Sequence, residues 1–546
     1  MTQDYLSVTL GCKPCGNLVS LEEKRANMVA TGSPRPENSK TDEVTRRAAM
    51  GALAGASLAR GQSRRKPNFL FILSDDHAGY VLGCDGNRLA NTPNLDRLAS
   101  ESMRFGAHHC NSPVCTPSRQ SFFTGQLPHS AGVTLLSTRL SPDKPTLAKQ
   151  FQKAGYQTAV FGKMHFNRAA EPGLHGFDVM LTEGEITRAW NSEVRPRPIP
   201  EEIRTKPAQW RPFQDPARIW LNADKLPFAR YDEEMRGTFI GRKAIQYMEQ
   251  NRDKPFALWT SFQEPHSPFD FPAEDRSLLE ARRFQVPRVG PEDAWQIPLI
   301  FRDLSDDDKR GINAAYYTSV AFLDRNIGRV LNALRRLKLE EDTFVVYMAD
   351  HGYDLGQHGR FEKHCGYDPA LRVPLIMRYP GRVRRGVVPD LTEHVDVPAT
   401  IVDLMGLDPL PLMHGQSLRP YLEGRRMDQR RDHIFSEYLE NEEAFIRTSE
   451  WKYIFCSGQR ARKDGYATDK PTPGRYRRLY DLKNDPGEFT DVAPKHPDLV
   501  AKFEGLMLDR FRATHPERAQ EPQRLGREEA IEFYLRPRDA APVTAP

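Results

Sequence analysis

Long apolar runs are absent from this 546-residue chain. The alanine-rich segment Gly51-Ala52-Leu53-Ala54-Gly55-Ala56-Ser57-Leu58-Ala59 falls short of the roughly 20 residues that span a bilayer, so no transmembrane anchor is expected. A strong charge of either sign is also lacking: 78 Lys and Arg stand against 73 Asp and Glu, a net charge of +5. With no basic stripe interleaved with aromatics, nucleic acid is not an expected partner. The arginines are left to pair with acids or to meet an anionic substrate. Cysteine is scarce, with seven residues at 12, 15, 84, 110, 115, 365 and 456, too scattered for a disulfide framework. Cys12-Lys13-Pro14-Cys15 is a CxxC with no second ligand pair after it, and reads as part of a leader rather than a metal or redox site. There is no internal repeat. What is present, 39% hydrophobic and 28% charged residues, suits a globular protein with one large domain and a smaller one.

Residues 1–44 lack apolar periodicity and are expected to be disordered. Residues 45–60 carry Arg46-Arg47 ahead of a short apolar run and a small-residue cleavage site, Ser57-Leu58-Ala59. This resembles a twin-arginine export signal and implies a periplasmic or extracellular location. Met28 is an alternative start. From residue 66 the pattern is α/β. Phe69 to Leu73, Thr158 to Phe161, Phe256 to Phe262, Thr343 to Ala349 and Val373 to Met377 read as buried strands of a mostly parallel sheet. Helices are expected from Pro93, with Leu95, Leu98, Ala99 and Met103 on one face, from Thr146 to Gly155, and from Glu233 to Met248. Two more follow the stripe Tyr316 to Leu337 and the run Val397 to Met405, closed by Gly406. Residues 185–230, rich in Pro, Trp and Arg, read as a long excursion that either shapes a pocket or lies on the surface. The catalytic domain is expected over 66–425. In 426–546, short strands and a helix from Pro497 to Arg512 suggest a smaller antiparallel sheet plus helix, with a frayed tail from Arg536.

The stretch Asn111 to Ser121 reads as a turn entering a helix, with Thr116 as N-cap, Pro117 as the first helical residue and Gly125 as the stop. Cys115 then lies just outside a helix N-terminus, where free N–H groups and the dipole favour an anion. Arg119, a turn further on, can aim its donors at the same point. Two buried strands end in metal-ligand types, Asp75-Asp76 and Asp350-His351, at the carboxyl ends where open α/β sheets place their ligands. Together the four would make an oxygen-rich divalent site suited to Ca²⁺ or Mg²⁺, with the histidine leaving Mn²⁺ or Zn²⁺ open. Lys163, His165, His266 and Lys363 can supply positive donors to a sulfate or phosphate monoester.

In chain order, Asp75-Asp76, Cys115-Thr116-Pro117-Ser118-Arg119, Gly162-Lys163-Met164-His165, Pro265 to Phe269, Asp350 to Tyr353, Leu355 to Lys363, Tyr367, Arg372-Val373-Pro374 and Leu479 to Leu482 resemble the sulfatase family. The first cysteine segment matches its Cys-X-Pro-X-Arg signature. The resemblance covers about residues 66–500. It implies an alkaline-phosphatase-like α/β fold, with a mostly parallel central sheet flanked by helices and a smaller C-terminal subdomain of antiparallel sheet plus helix. It implies oxidation of Cys115 to formylglycine by a formylglycine-generating enzyme, and Ca²⁺ held by Asp75, Asp76, Asp350, His351 and the modified Cys115. One hydroxyl of the hydrated aldehyde would attack sulfur. Lys163, His266 and Lys363 would hold the sulfate oxygens, with His266 or Lys363 protonating the leaving alcohol. His165 would take the proton of the second hydroxyl as sulfate leaves. Arg119 completes the expected catalytic set. Two positions depart from the commonest pattern: His351 stands where many members have asparagine, and Asp368 where glutamate is common. The expected activity is hydrolysis of a small-molecule or glycan sulfate ester. The other readings are a phosphate or phosphonate ester hydrolase of the same superfamily and an inactive sulfated-glycan-binding protein.

Overall fold

Apolar runs bounded by turns make strands that are buried on both faces. In the computed structural model, which describes residues 66–207, 210–458, 465–468 and 474–539, eight strands form one sheet. They are β1 (Asn68–Ser74), β2 (Met103–His109), β3 (Gln157–Gly162), β4 (Val179–Leu181), β5 (Phe256–Ser261), β6 (Thr343–Ala349), β7 (Leu375–Arg378) and β8 (Gly386–Glu393). The expected leader, the CxxC and the twin-arginine segment lie outside the described residues. The strand order is β4-β3-β5-β1-β6-β7-β2-β8. Every neighbouring pair is parallel except those made by β7, which runs against both β6 and β2.

All residues of β1, β5 and β6 are buried, and successive side chains go to opposite faces. Phe69, Phe71, Trp259 and Phe344 pack with Phe122, Phe151 and Ile401 on one side. Leu70, Ile72, Leu258 and Tyr347 pack with Phe239, Ile327 and Leu334 on the other. The last two belong to the Asp306–Arg336 helix, which begins ahead of the apolar stripe because Ser305 and Asp308 form a capping box. No helix among the described residues is long and apolar enough to cross a membrane.

Two expectations fail around β2. The helix from Pro93 ends at Ser100, and Met103 opens β2 instead of extending the helical face. Pairing with β7 and β8 outweighs the helical spacing, and it buries Met103 in the core. β2 and β8 themselves were not expected, since one carries Gly and two His and the other opens on exposed residues.

The second sheet is antiparallel, in the order β12-β11-β10-β9, from β9 (His433–Tyr438), β10 (Glu443–Thr448), β11 (Trp451–Cys456) and β12 (Tyr476–Asp481). The Pro497–Thr514 helix lays Phe503, Met507 and Phe511 on it. A further helix, Arg527–Leu535, adds Ile531 and Tyr534 to the same core. The expected fraying from Arg536 is corrected as far as Asp539. That carboxylate accepts from Thr134 N (2.6 Å), Thr134 Oγ1 (2.7 Å) and Leu135 N (3.0 Å). Asp368, between β6 and β7, pairs with Lys452 Nζ of β11 at 2.7 Å and with Arg447 of β10 at 3.3 Å. All five described cysteines are free.

Candidate active site

Parallel neighbours finish at the same sheet edge. Because β3, β5, β1 and β6 are adjacent, their carboxyl ends bring together four segments that are distant in sequence. Lys163 follows β3, the Gln263–His266 turn follows β5, Asp75 and Asp76 follow β1, and Asp350 and His351 follow β6. β1 and β6 are in register to their last residues, Ser74 beside Ala349.

Cys115 reaches this edge from a helix that begins earlier than expected. The helix spans Cys115–Thr124 with Val114 as N-cap, so Cys115 is its first residue and Pro117 its third. Proline costs nothing there, since the first backbone donor the helix uses is Ser118 N, bonded to Val114 O at 3.0 Å. Thr116, expected to cap, donates to Leu136 O instead. Gly125 closes the helix in the left-handed conformation, as expected.

The Cys115 sulfur lies 3.1 Å from His351 Nε2, 3.1 Å from Lys363 Nζ, 3.5 Å from Asp75 Oδ1 and 3.7 Å from Lys163 Nζ. Lys163 forms an ion pair with Asp75, and Lys363 pairs with Asp76 Oδ1 at 2.7 Å. Burial drives the Cys115 thiol up and Asp75 adds to that, yet Lys163, Lys363 and His351 outweigh both and hold it below the ordinary thiol value. Burial also works against ionisation of Asp75, but Lys163 and Arg119 bring it well below the usual carboxylate range. Asp76 is pushed up to about 7, chiefly by burial. His351 rises to about 9, because Asp350 and Cys115 overcome its burial. Burial and then Lys163 press His165 down to about 3 and His266 well below an ordinary histidine.

Arg119 is fully buried beneath this group. Its Nε donates to Asp350 Oδ2 at 2.8 Å, and Nη1 donates to Lys163 O at 2.5 Å and to Ser261 Oγ at 3.0 Å. Nη2 stands 3.3 Å from Asp75 Oδ2. Asp350 also accepts from Asp76 N at 3.2 Å and from His351 N at 2.9 Å.

Cys115, Asp76, Lys163, His165, His266 and Lys363 line one cavity of about 1130 Å³. Part of the 185–230 excursion lines it too, through Ile186, Thr187, Pro212, Phe213 and Trp220, so that segment does shape a pocket. Lys163 and His165 reach it without an extended backbone: Gly162 has φ +103° and His165 +54°. That bend is held from partners the sequence did not reveal. Glu183 accepts from Met164 N and His165 N, and Gln120 Nε2 donates to Met164 O and His165 O. Ser118 Oγ is 3.1 Å from His394 Nδ1. None of these polar residues stands out in its own stretch of sequence, because each matters only through a remote contact.

Ligand atoms of Asp75, Asp76, Cys115 and His351 lie within 4.8 Å of one another. Oxygen ligands at about 2.3–2.6 Å from a common Ca²⁺ would be separated by no more than about 5 Å. Asp76 Oδ2 is buried without a hydrogen-bond partner, as a carboxylate reserved for a cation would be. The donor set therefore fits a divalent metal. Asp350, expected as a fifth ligand, stands outside that group of four, and its carboxylate is engaged by Arg119 and two backbone N–H groups.

A family model described as Sulfatase matches residues 67–407, and one described as N-sulphoglucosamine sulphohydrolase, C-terminal, matches residues 356–510. The choline-sulfatase of Rhizobium meliloti (strain 1021) is 30% identical over 462 residues, covering 79% of this chain and 84% of that protein. An N-acetylglucosamine-6-O-sulfatase of Bacteroides thetaiotaomicron is 26% identical over 526 residues, covering 82% and 86%. Among solved structures, the phosphonate monoester hydrolase of Agrobacterium radiobacter shares the fold with a TM-score of 0.69 at 23% identity, covering 82% of this chain and 96% of that one.

Proposed function

The chain belongs to the sulfatase family and is a sulfuric ester hydrolase, and we propose that it cleaves the sulfate ester of a small molecule or sugar with position 115, as formylglycine, for its nucleophile. The observation that carries this reading is the placing of Cys115 on the cavity floor between two ammonium groups and an imidazole nitrogen. A formylglycine there supplies a geminal diol, and a divalent cation held by Asp75, Asp76, His351 and position 115, with Asp350 adjoining, supplies charge stabilisation. Ca²⁺ suits the carboxylates best, with Mg²⁺ and Mn²⁺ the alternatives.

The chain's own residues do the rest. Lys163 and Lys363 hold the sulfate oxygens, and Lys363, which burial works to deprotonate, is kept charged by Asp76, its ion-pair partner at 2.7 Å. His266 Nδ1 donates to Ser267 O at 2.7 Å, which leaves Nε2 for the leaving alcohol. An anionic ester beside it raises its proton affinity. His165, neutral in the same cavity, takes the proton of the second hydroxyl. Arg119 does not line the cavity; it positions Asp75, Asp350 and the Lys163 carbonyl. This assignment covers a catalytic domain over 66–425 and a C-terminal subdomain over 426–546, exported through residues 45–60 and matured by a formylglycine-generating enzyme. A sugar substrate is supported by the relative named for N-acetylglucosamine 6-O-sulfate.

The test is mass analysis of the Cys115 peptide after co-expression with a formylglycine-generating enzyme, alongside aryl sulfate turnover. Loss of sulfur and gain of an aldehyde should accompany activity. Full turnover with an intact thiol would sink the mechanism. A second reading, hydrolysis of phosphonate or phosphate esters, draws on the phosphonate monoester hydrolase fold. Matched aryl sulfate, phosphate and phosphonate substrates rank the two by kcat/KM.

A further inference from the structure

We infer that Arg236 forms a second anion subsite, so that the alcohol released here carries another acidic group, a carboxylate or a second sulfate. This rests on the reading of the cavity as the ester site. Among the described residues, three lysine or arginine side chains line the cavity. Lys163 and Lys363 are paired with Asp75 and Asp76. Arg236, the first residue of the Arg236–Gln250 helix, is half-buried. It donates to Thr187 Oγ1 at 3.4 Å and to Gln263 Oε1, both neutral acceptors, and forms no ion pair among the described residues. A guanidinium has five N–H donors, so two are used here and three are left for a ligand. The nearby acid Glu264 feels its charge. Burial nevertheless pushes Glu264 up to about 7, and its Oε2 makes no hydrogen bond to the arginine or to any other group among the described residues.

The position of Arg236 sets what it would recognise. Gln263, its partner, accepts from His266 N at 2.9 Å through its carbonyl. Arg236 therefore stands on the turn that carries the proposed proton donor to the leaving alcohol, on the alcohol's side of the cavity. A planar fork of donors matches a carboxylate or a sulfate in bidentate fashion. An alcohol bearing a quaternary ammonium would meet like charge at that place.

The experiment measures sulfate release by the matured full-length protein and its Arg236→Gln and Arg236→Lys variants. One substrate pair is glucosamine 6-O-sulfate against glucosamine 2-N,6-O-disulfate, and the other is glucose 2-O-sulfate against a 2-O-sulfated hexuronate. Choline sulfate and an aryl sulfate complete the panel. The wild type should favour the acidic member of one pair by about tenfold or more in kcat/KM, and which pair it is separates sulfate from carboxylate. Arg236→Gln should erase that preference, a change on the order of 10- to 100-fold, and Arg236→Lys should keep part of it. The subsite is overturned, with ester hydrolysis left standing, if an enzyme that cleaves the aryl sulfate shows no such preference or favours choline sulfate. It is equally overturned if Arg236→Gln slows both members of each pair alike, which would mark a role in holding the Gln263 turn. No turnover of any sulfate ester would overturn the function and the subsite together.

Discussion

Replacing Arg119 by methionine tests whether the charged floor of the site is also a structural joint. The side chain is fully buried and makes three hydrogen bonds, to Asp350 Oδ2, Lys163 O and Ser261 Oγ, with Asp75 Oδ2 a further 3.3 Å contact. Methionine fills similar space but leaves the carboxylates of Asp75 and Asp350 without their shared cation. Removing one partner of a buried ion pair costs about 3–5 kcal/mol. Because four contacts share one side chain, their separate values do not add. Asp75 retains Lys163, and Asp350 retains the Asp76 and His351 N–H groups, which places the expected loss near the lower end, about 3 kcal/mol. Arg119→Lys should recover only part of it, since a single ammonium cannot span contacts that a planar fork reaches. The assay is urea unfolding of wild type and both variants in the presence of a chelator, so that no cation replaces the lost charge, compared at equal slope. A loss under about 1 kcal/mol, or a lysine variant equal to wild type, would refute the account of Arg119 as the joint between β1 and β6.

Two further outcomes follow from the same geometry. Chelation should lower the unfolding midpoint and Ca²⁺ should restore it, by about 2.7 kcal/mol when the free ion stands at 100 times its Kd. Asp76→Asn should abolish that ion-dependent shift, and a wild type indifferent to chelator and Ca²⁺ would remove the metal assignment. His109, away from the metal group, is held down to about 4, mainly by burial and against the pull of Asp368. An unfolded histidine titrates near 6.5, so between those values the unfolded chain binds the proton first. The stability its neutral ring confers is present above about 6.5 and lost as pH falls toward 4, up to about 3 kcal/mol. In His109→Gln the fall of the urea midpoint between pH 6.5 and 4 should flatten, and an unchanged slope would assign the acid sensitivity elsewhere.

The strands β1 and β6 could be read from sequence because each is an uninterrupted apolar run that ends abruptly in acids. Burial on both faces leaves no other pattern for such a strand. β2 and β8 escaped because their stability comes from each other, across more than 280 residues, as in the pairing of Phe105 with Val388. The residues that carry charge into the site were also legible, since Asp, His and Lys at strand ends are few. Their supports were not. Glu183 and Gln120 look like ordinary polar helix residues until the Lys163–His165 turn is seen folded against them. The start of the Cys115 helix was misplaced by two residues for a related reason. Proline marks a first turn but not which of its positions it occupies, because none of the first three N–H groups is needed.

Sheet topology explains why those few charges converge. Side by side in parallel, β3, β5, β1 and β6 must deliver whatever follows them to one edge, so no long-range recognition among the charged residues is required. Fine placement then depends on the backbone at the strand ends, and Gly162 shows how tightly. Its φ of +103° is open to glycine and strained for other residues, and a Cβ there would collide with the Ser261 carbonyl oxygen. That same carbonyl accepts from Lys163 N at 3.1 Å. The step from β3 to β5 is thus fixed at the very residue before the lysine. A side chain at 162 would have to push the β3 end away from Ser261, and Lys163 would leave Asp75 and Cys115 with it. The glycine therefore governs the site as directly as the lysine does, although only the lysine has a charge to offer.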